Sequence, residues 1–239
     1  MSAVYKKELR QYLHTLPGYV FAAGFLLSGG LLFSSYNILG RSMELKPLWH
    51  GLEYVLLILT PVLTMRLLAG ERSEKTDVLL ITAPVSAGAL TAAKFLAALS
   101  VHSCALLLSM MYPLILCLYG SPSWGQVLTG YLGLWLLGML IIAVGLFISS
   151  LMKRPLHALL SALGVMLFIM LIDSATAWLN AGLVKSLVLW AAPLSNGTYL
   201  INGFLNVPSV VYFVSCTLLF LYLTVRSLEH AKWSKGRRT

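Results

Sequence analysis

Long apolar runs separated by short polar breaks dominate this chain. Between Arg10 and Arg41 lie 30 residues without a formal charge, between Lys94 and Lys153 lie 58, and between Lys185 and Arg226 lie 40. A helix crossing a bilayer needs about 20 apolar residues, so the pattern predicts several crossings. Break signals divide the runs into six spans, at about 17–40, 47–68, 88–119, 126–151, 155–174 and 207–227. The turn Gly120-Ser121-Pro122-Ser123-Trp124-Gly125 splits the longest run in two. Lys153-Arg154-Pro155 separates spans four and five, with Pro155 suited to a first helical turn.

Two segments outside the spans carry structure of their own. Residues 1–16 are amphipathic: Val4, Leu9, Tyr12, Leu13 and Leu16 share one broad face, and Lys6, Lys7 and Arg10 lie elsewhere. Such a helix is expected to lie along a membrane surface until Pro17 turns the chain inward. Residues 178–206 are apolar but interrupted by Gly182, Pro193, Asn196 and Gly197, each part too short to span. Two half-helices dipping into the outer leaflet fit that pattern. The whole of 1–239 then forms one all-α membrane domain.

Composition agrees. Hydrophobic residues make up 59% and charged residues 10%, with a mean hydropathy of +0.84, whereas soluble domains are roughly one quarter charged. The first apolar run lacks a small-residue cleavage site and is read as a retained helix. With the N-terminus placed in the cytoplasm, the 17 Lys and Arg residues divide 14 to 3, only Arg41, Lys46 and Lys185 falling outside. That is a positive-inside distribution. It puts both termini in the cytoplasm and turns the net charge of +9 into a membrane-surface pattern instead of a nucleic-acid footprint. Cys104, Cys117 and Cys216 sit in apolar runs with no paired spacing, and are read as buried thiols.

Charge concentrates at one place. Glu71, Arg72, Glu74, Lys75 and Asp77 fall within seven positions, in the stretch from Glu71 to Ser86 that joins spans two and three on the cytoplasmic side. Glu71 and Lys75 have the spacing of a helical ion pair. Val78 to Ile81 follow as an apolar section, Pro84 ends the helix, and Ser86 is placed to cap the next one. The stretch therefore predicts helix, elbow and helix.

A resemblance attaches to these residues. Pro61-Val62-Leu63-Thr64-Met65-Arg66, Glu71-Arg72-Ser73-Glu74-Lys75-Thr76-Asp77, Leu79-Leu80-Ile81-Thr82-Ala83-Pro84-Val85-Ser86 and Ala93-Lys94-Phe95 resemble ABC-2 type permeases. Among those the chain is most similar to the short permeases of the gliding-motility-associated ABC transporter group. Ala93 stands where many have Gly, and Lys75-Thr76 where many have Gly-Thr. Asn202-Gly203 and the closing Leu228-Glu229 extend the likeness over most of the chain. It implies a permease, expected to be an exporter in a bacterial plasma membrane, that binds a separate ATPase subunit carrying ATP and Mg. It also implies a homodimer, or a heterodimer with a second permease. The 71–86 loop becomes a coupling helix, with Glu71, Arg72, Glu74, Lys75, Thr76, Asp77, Leu79, Leu80 and Pro84 at the ATPase interface.

Other constellations are weaker. The chain has no G-x-x-x-x-G-K-[ST] loop, so no ATP-hydrolysing site of its own is expected. It has no Gly-x-Ser-x-Gly and no His-Glu-x-x-His, and its five histidines are scattered, which argues against an intramembrane enzyme and against a bound metal. Glu53 and Asp173 are the acids within span regions, both toward the outer side. Each is a candidate for the substrate path, with a structural anchor as the plainer reading for Asp173. Pro61 is expected to kink span two, and Arg66 to snorkel to the inner interface. Gly138, Gly145 and Ser149 share one face of span four, where small residues permit close packing. Trp49, Trp124, Trp178 and Trp190 are read as interface aromatics. A non-transporting membrane scaffold and a passive channel or secondary carrier remain the alternative functions.

Overall fold

A computed structural model describes residues 2–73, 86–175 and 192–236. Six of its helical stretches are long and apolar enough to cross a membrane: Leu16–Leu39, Lys46–Ser73, Ala87–Leu116, Trp124–Leu151, Pro155–Ser174 and Val207–His230. Helix α1 (Ser2–His14) precedes them. Span one is α2 (Leu16–Phe33) closed by a π-helical turn at Ser34–Leu39, and span two is α3 (Lys46–Thr64) followed by the short α4 (Ala69–Ser73). Span three is α5 (Ala87–Ser109) continued by α6 (Met111–Leu116). Span four is α7 (Trp124–Leu151), and span five is α8 (Pro155–Ala175). Helix α9 (Pro193–Ile201) lies ahead of α10 (Val207–Gly236), which contains span six.

Span four is the axis of the bundle. Its most apolar window is 78% buried, against 17% in span five and 22% in span six. The reason is its row of small residues. A Cβ on Gly130 would come within 2.6 Å of the Trp49 indole, and Gly138 and Gly145 are closed in the same way by the His102 ring and Thr64. Spans two and three therefore press side chains directly onto the backbone of α7, as close-packed membrane helices do. The small-residue face is filled from within the subunit.

The outer surface is oily where a soluble protein would be polar. Leu27, Leu31, Leu107, Phe168, Leu171 and Leu218 are all exposed on the spans. Continuous apolar exposure of that extent matches a lipid-facing belt.

Several expectations are corrected. Trp49 is only 1% exposed and stands edge-on to Tyr131, a core residue and not an interface aromatic, whereas Trp124 is exposed. Trp178 and Trp190 lie outside the described residues. Cys104 and Cys117 are exposed and Cys216 is half-buried. The docked face of α1 is Tyr5, Glu8 and Tyr12, against α5 and α2, while Leu16 belongs to α2 and is 78% exposed. Span two does not stop at residue 68. It breaks after Thr64 and resumes as α4, so Glu71 and Arg72 extend its end instead of opening a separate loop. Helix α3 continues through Pro61 and gives way to turns at residues 65–68. Of the 178–206 segment, α9 is the described helical part, packed against α7.

Candidate functional site: a buried ion triad at the amino-terminal end of the bundle

The ends of spans two and four and the start of span three meet α1 at one end of the bundle. Lys94 lies about two turns into α5, where the apolar pattern around it points inward. Its side chain is 1% exposed. A lone ammonium buried so deeply costs several kcal/mol, and two carboxylates offset that cost. The Lys94 Nζ donates to Glu8 Oε1 at 2.9 Å and pairs with Glu71 Oε1 at 2.9 Å. Glu8 comes from α1 and Glu71 from α4, so one lysine ties three separate elements together. The lysine has three N–H donors and no acceptor, a geometry suited to bridging two anions.

Two further contacts support the junction by bracing the break in span two. After Thr64 the helical ladder tightens to Leu67 N–H donating to Thr64 O at 3.2 Å, which leaves neighbouring backbone groups needing partners. Ser149 Oγ of α7 accepts from Leu68 N (3.2 Å) and Ala69 N (3.1 Å), and donates to Met65 O (3.4 Å). Tyr12 of α1 donates its phenol proton to Leu63 O at 2.9 Å. Burial, with the Glu8 carboxylate adding to it, holds the Tyr12 phenol well above its ordinary range, so it keeps that proton. Within α3, Thr60 Oγ1 donates to Leu56 O and Thr64 Oγ1 to Thr60 O. Tyr5 adds a third tie from α1, its hydroxyl 2.8 Å from Ser100 Oγ on α5.

The candidate interface residues divide around this junction. Glu71 is brought into it by Lys94, and Arg72 is half-buried beside it on α4; the expected pairing of Glu71 with Lys75 lies outside the described residues. Arg66 is exposed at the rim, in a crevice shared with Glu8, Gln11 and Tyr12. Glu74, Lys75, Thr76, Asp77, Leu79, Leu80 and Pro84 lie outside the described residues. Ser86 beyond them caps α5, its Oγ accepting from Ala89 N at 3.2 Å. Lys94 itself was counted as a surface charge by its position near a span end; the structure buries it. Glu8, Tyr12 and Ser149 were missed as partners. Glu8 had a readable signal, being the only acid before Glu44 and standing between Tyr5 and Tyr12 at helical spacing.

Glu53 and Asp173 lie at the opposite end. Glu53 is 3% exposed, with Oε2 3.2 Å from His50 Nδ1 and Oε1 facing Gly197 of α9. Asp173 is half-buried, and its Oδ1 accepts from the Ser195 N–H (2.9 Å) and Ser195 Oγ (2.6 Å) in the first turn of α9. A carboxylate there satisfies orphan donors and complements the helix dipole. Asp173 thus ties α9 to span five, and Glu53 of span two packs beside Gly197. Among the described residues, no three His, Cys, Asp or Glu side chains gather as metal ligands.

Comparison with known proteins agrees with the fold. The family model described as "ABC-2 family transporter protein" matches residues 50–233, from the far end of span two to the last turns of α10. No curated protein matches the chain.

Proposed function

Because the chain belongs to the ABC-2 transporter family, as a multi-pass permease component of an ATP-binding cassette system, we propose that it couples hydrolysis by a separate ATPase to export across a cell membrane. ATP and Mg bind on that ATPase. The end of the bundle that carries α1 is cytoplasmic in this reading, consistent with the 14 to 3 division of basic residues. A second copy of this chain, or a second permease, completes the pathway.

The observation that carries the mechanism is the bridge from Lys94 to Glu8 and Glu71. ATPase closure presses on residues 71–86. Displacement that reaches Glu71 passes to span three, because Glu71 is paired with Lys94. The adjoining break in span two is held by Ser149 of span four and Tyr12 of α1. Packed elements of this kind move as bodies instead of deforming continuously. The push therefore reaches spans two, three and four together.

Co-purification with candidate ATPases, followed by hydrolysis measurements in lipid, tests the reading. Reversal of Glu74 and Asp77 to Lys is expected to abolish association. Unchanged association and unchanged stimulated hydrolysis would overturn the coupling role of 71–86. A cysteine replacing the exposed Ser73 should react only from the cytoplasmic side.

A further inference from the structure

The charges of α1 are sorted by face. Its one acid, Glu8, is turned inward and consumed by Lys94. The exposed side carries Lys6, Lys7, Arg10 and His14 with no acid among them. These four and Leu9 line an open concavity of about 570 Å³. Its lining is largely apolar although four of its five residues are basic, as long cationic side chains with aliphatic stems allow. That construction suits a ligand with an anionic head and an apolar shoulder.

The surroundings indicate which ligand. Span one starts at Leu16, two residues after α1 ends, and Leu16, Tyr19 and Val20 are all exposed at its first turn. The lipid-facing surface thus begins where the basic face stops. Tyr5, Glu8 and Tyr12 fix α1 at that level through Ser100, Lys94 and Leu63. We propose that Lys6, Lys7 and Arg10 form a binding site for the phosphate headgroup of an anionic phospholipid in the leaflet on the α1 side. This is independent of the ATPase-coupling reading, since it concerns the permease alone.

The test uses purified permease without any ATPase, reconstituted in phosphatidylcholine vesicles. Spin-labelled phosphatidylglycerol and spin-labelled phosphatidylcholine are compared for the fraction immobilised at the protein surface. Wild-type protein is expected to prefer the anionic label by about twofold or more at low salt, given the attraction of each cation for an anionic leaflet. The preference should shrink at about 1 M salt, where screening is short-ranged. The Lys6→Gln/Lys7→Gln/Arg10→Gln variant should lose it, and Lys6→Arg/Lys7→Arg should keep it. Equal preference in the Gln variant and the wild type overturns the site and leaves the face available for an acidic protein surface. Loss of preference on adding inorganic phosphate at constant ionic strength overturns the lipid as occupant in favour of free phosphate.

Discussion

Lys94 and Glu71 stand 2.9 Å apart although 23 positions separate them, and Glu8 reaches the same lysine at 2.9 Å from 86 positions away. Breaking one side of such a buried group should be far worse than removing all of it. Lys94→Met leaves two carboxylates facing each other in a closed site and is expected to destabilise the protein by about 3–5 kcal/mol. The charge-free combination Glu8→Gln/Lys94→Met/Glu71→Gln should recover most of that loss. Thermal unfolding in detergent distinguishes the two; equal damage in both would mean the triad carries no pairing energy.

The glycine row of span four predicts a contrast between positions. Gly138→Ala drives a methyl group into the ring of the buried His102, and should cost about 1–3 kcal/mol. Gly164→Ala, on span five, meets nothing within 4 Å. It should be neutral or stabilising by up to about 1 kcal/mol. Melting temperatures of the two variants check the sign.

Ser149→Ala removes the acceptor shared by Leu68 N–H and Ala69 N–H. Buried donors left without partners cost about 1–3 kcal/mol, and the loss should appear locally. Amide exchange over residues 65–73 is expected to quicken in this variant. Ser161→Ala, at a half-buried serine bonded only within its own helix, should leave those amides unchanged.

How much of this could be read in advance follows from the range of each interaction. The spans are set by local hydrophobicity, so their positions and the cap at Ser86 were legible within a few residues. The face of Gly138, Gly145 and Ser149 was legible too, because helical spacing is local; that Trp49, His102 and Thr64 fill it was not. Lys94 looked like a surface cation because position near a span end is all that a charge pattern reports. Its burial depends on two acids remote in sequence. The break after Thr64 has no local signal of its own, and Pro61, one turn earlier, marks only the expected kink. The break instead stands where Ser149, 80 or more positions away, can satisfy the freed amides.

Asp173 and Ser195 make a prediction for the opposite end. Asp173→Ala removes the acceptor at the first turn of α9. In a background without the three native cysteines, a cysteine placed at Asn196 should then react with a polar maleimide several-fold faster. Identical rates would show that Asp173 does not hold α9 in place.

In the proposed mechanism the junction of Glu8, Lys94 and Glu71 transmits the ATPase stroke. It is tested most directly by permease-stimulated ATP hydrolysis in lipid, comparing wild type with Glu8→Gln/Lys94→Met/Glu71→Gln. The variant is expected to bind the ATPase in the same stoichiometry while its stimulation falls at least tenfold, a loss of about 1.4 kcal/mol or more in coupling. Full stimulation by the assembled variant would contradict the account.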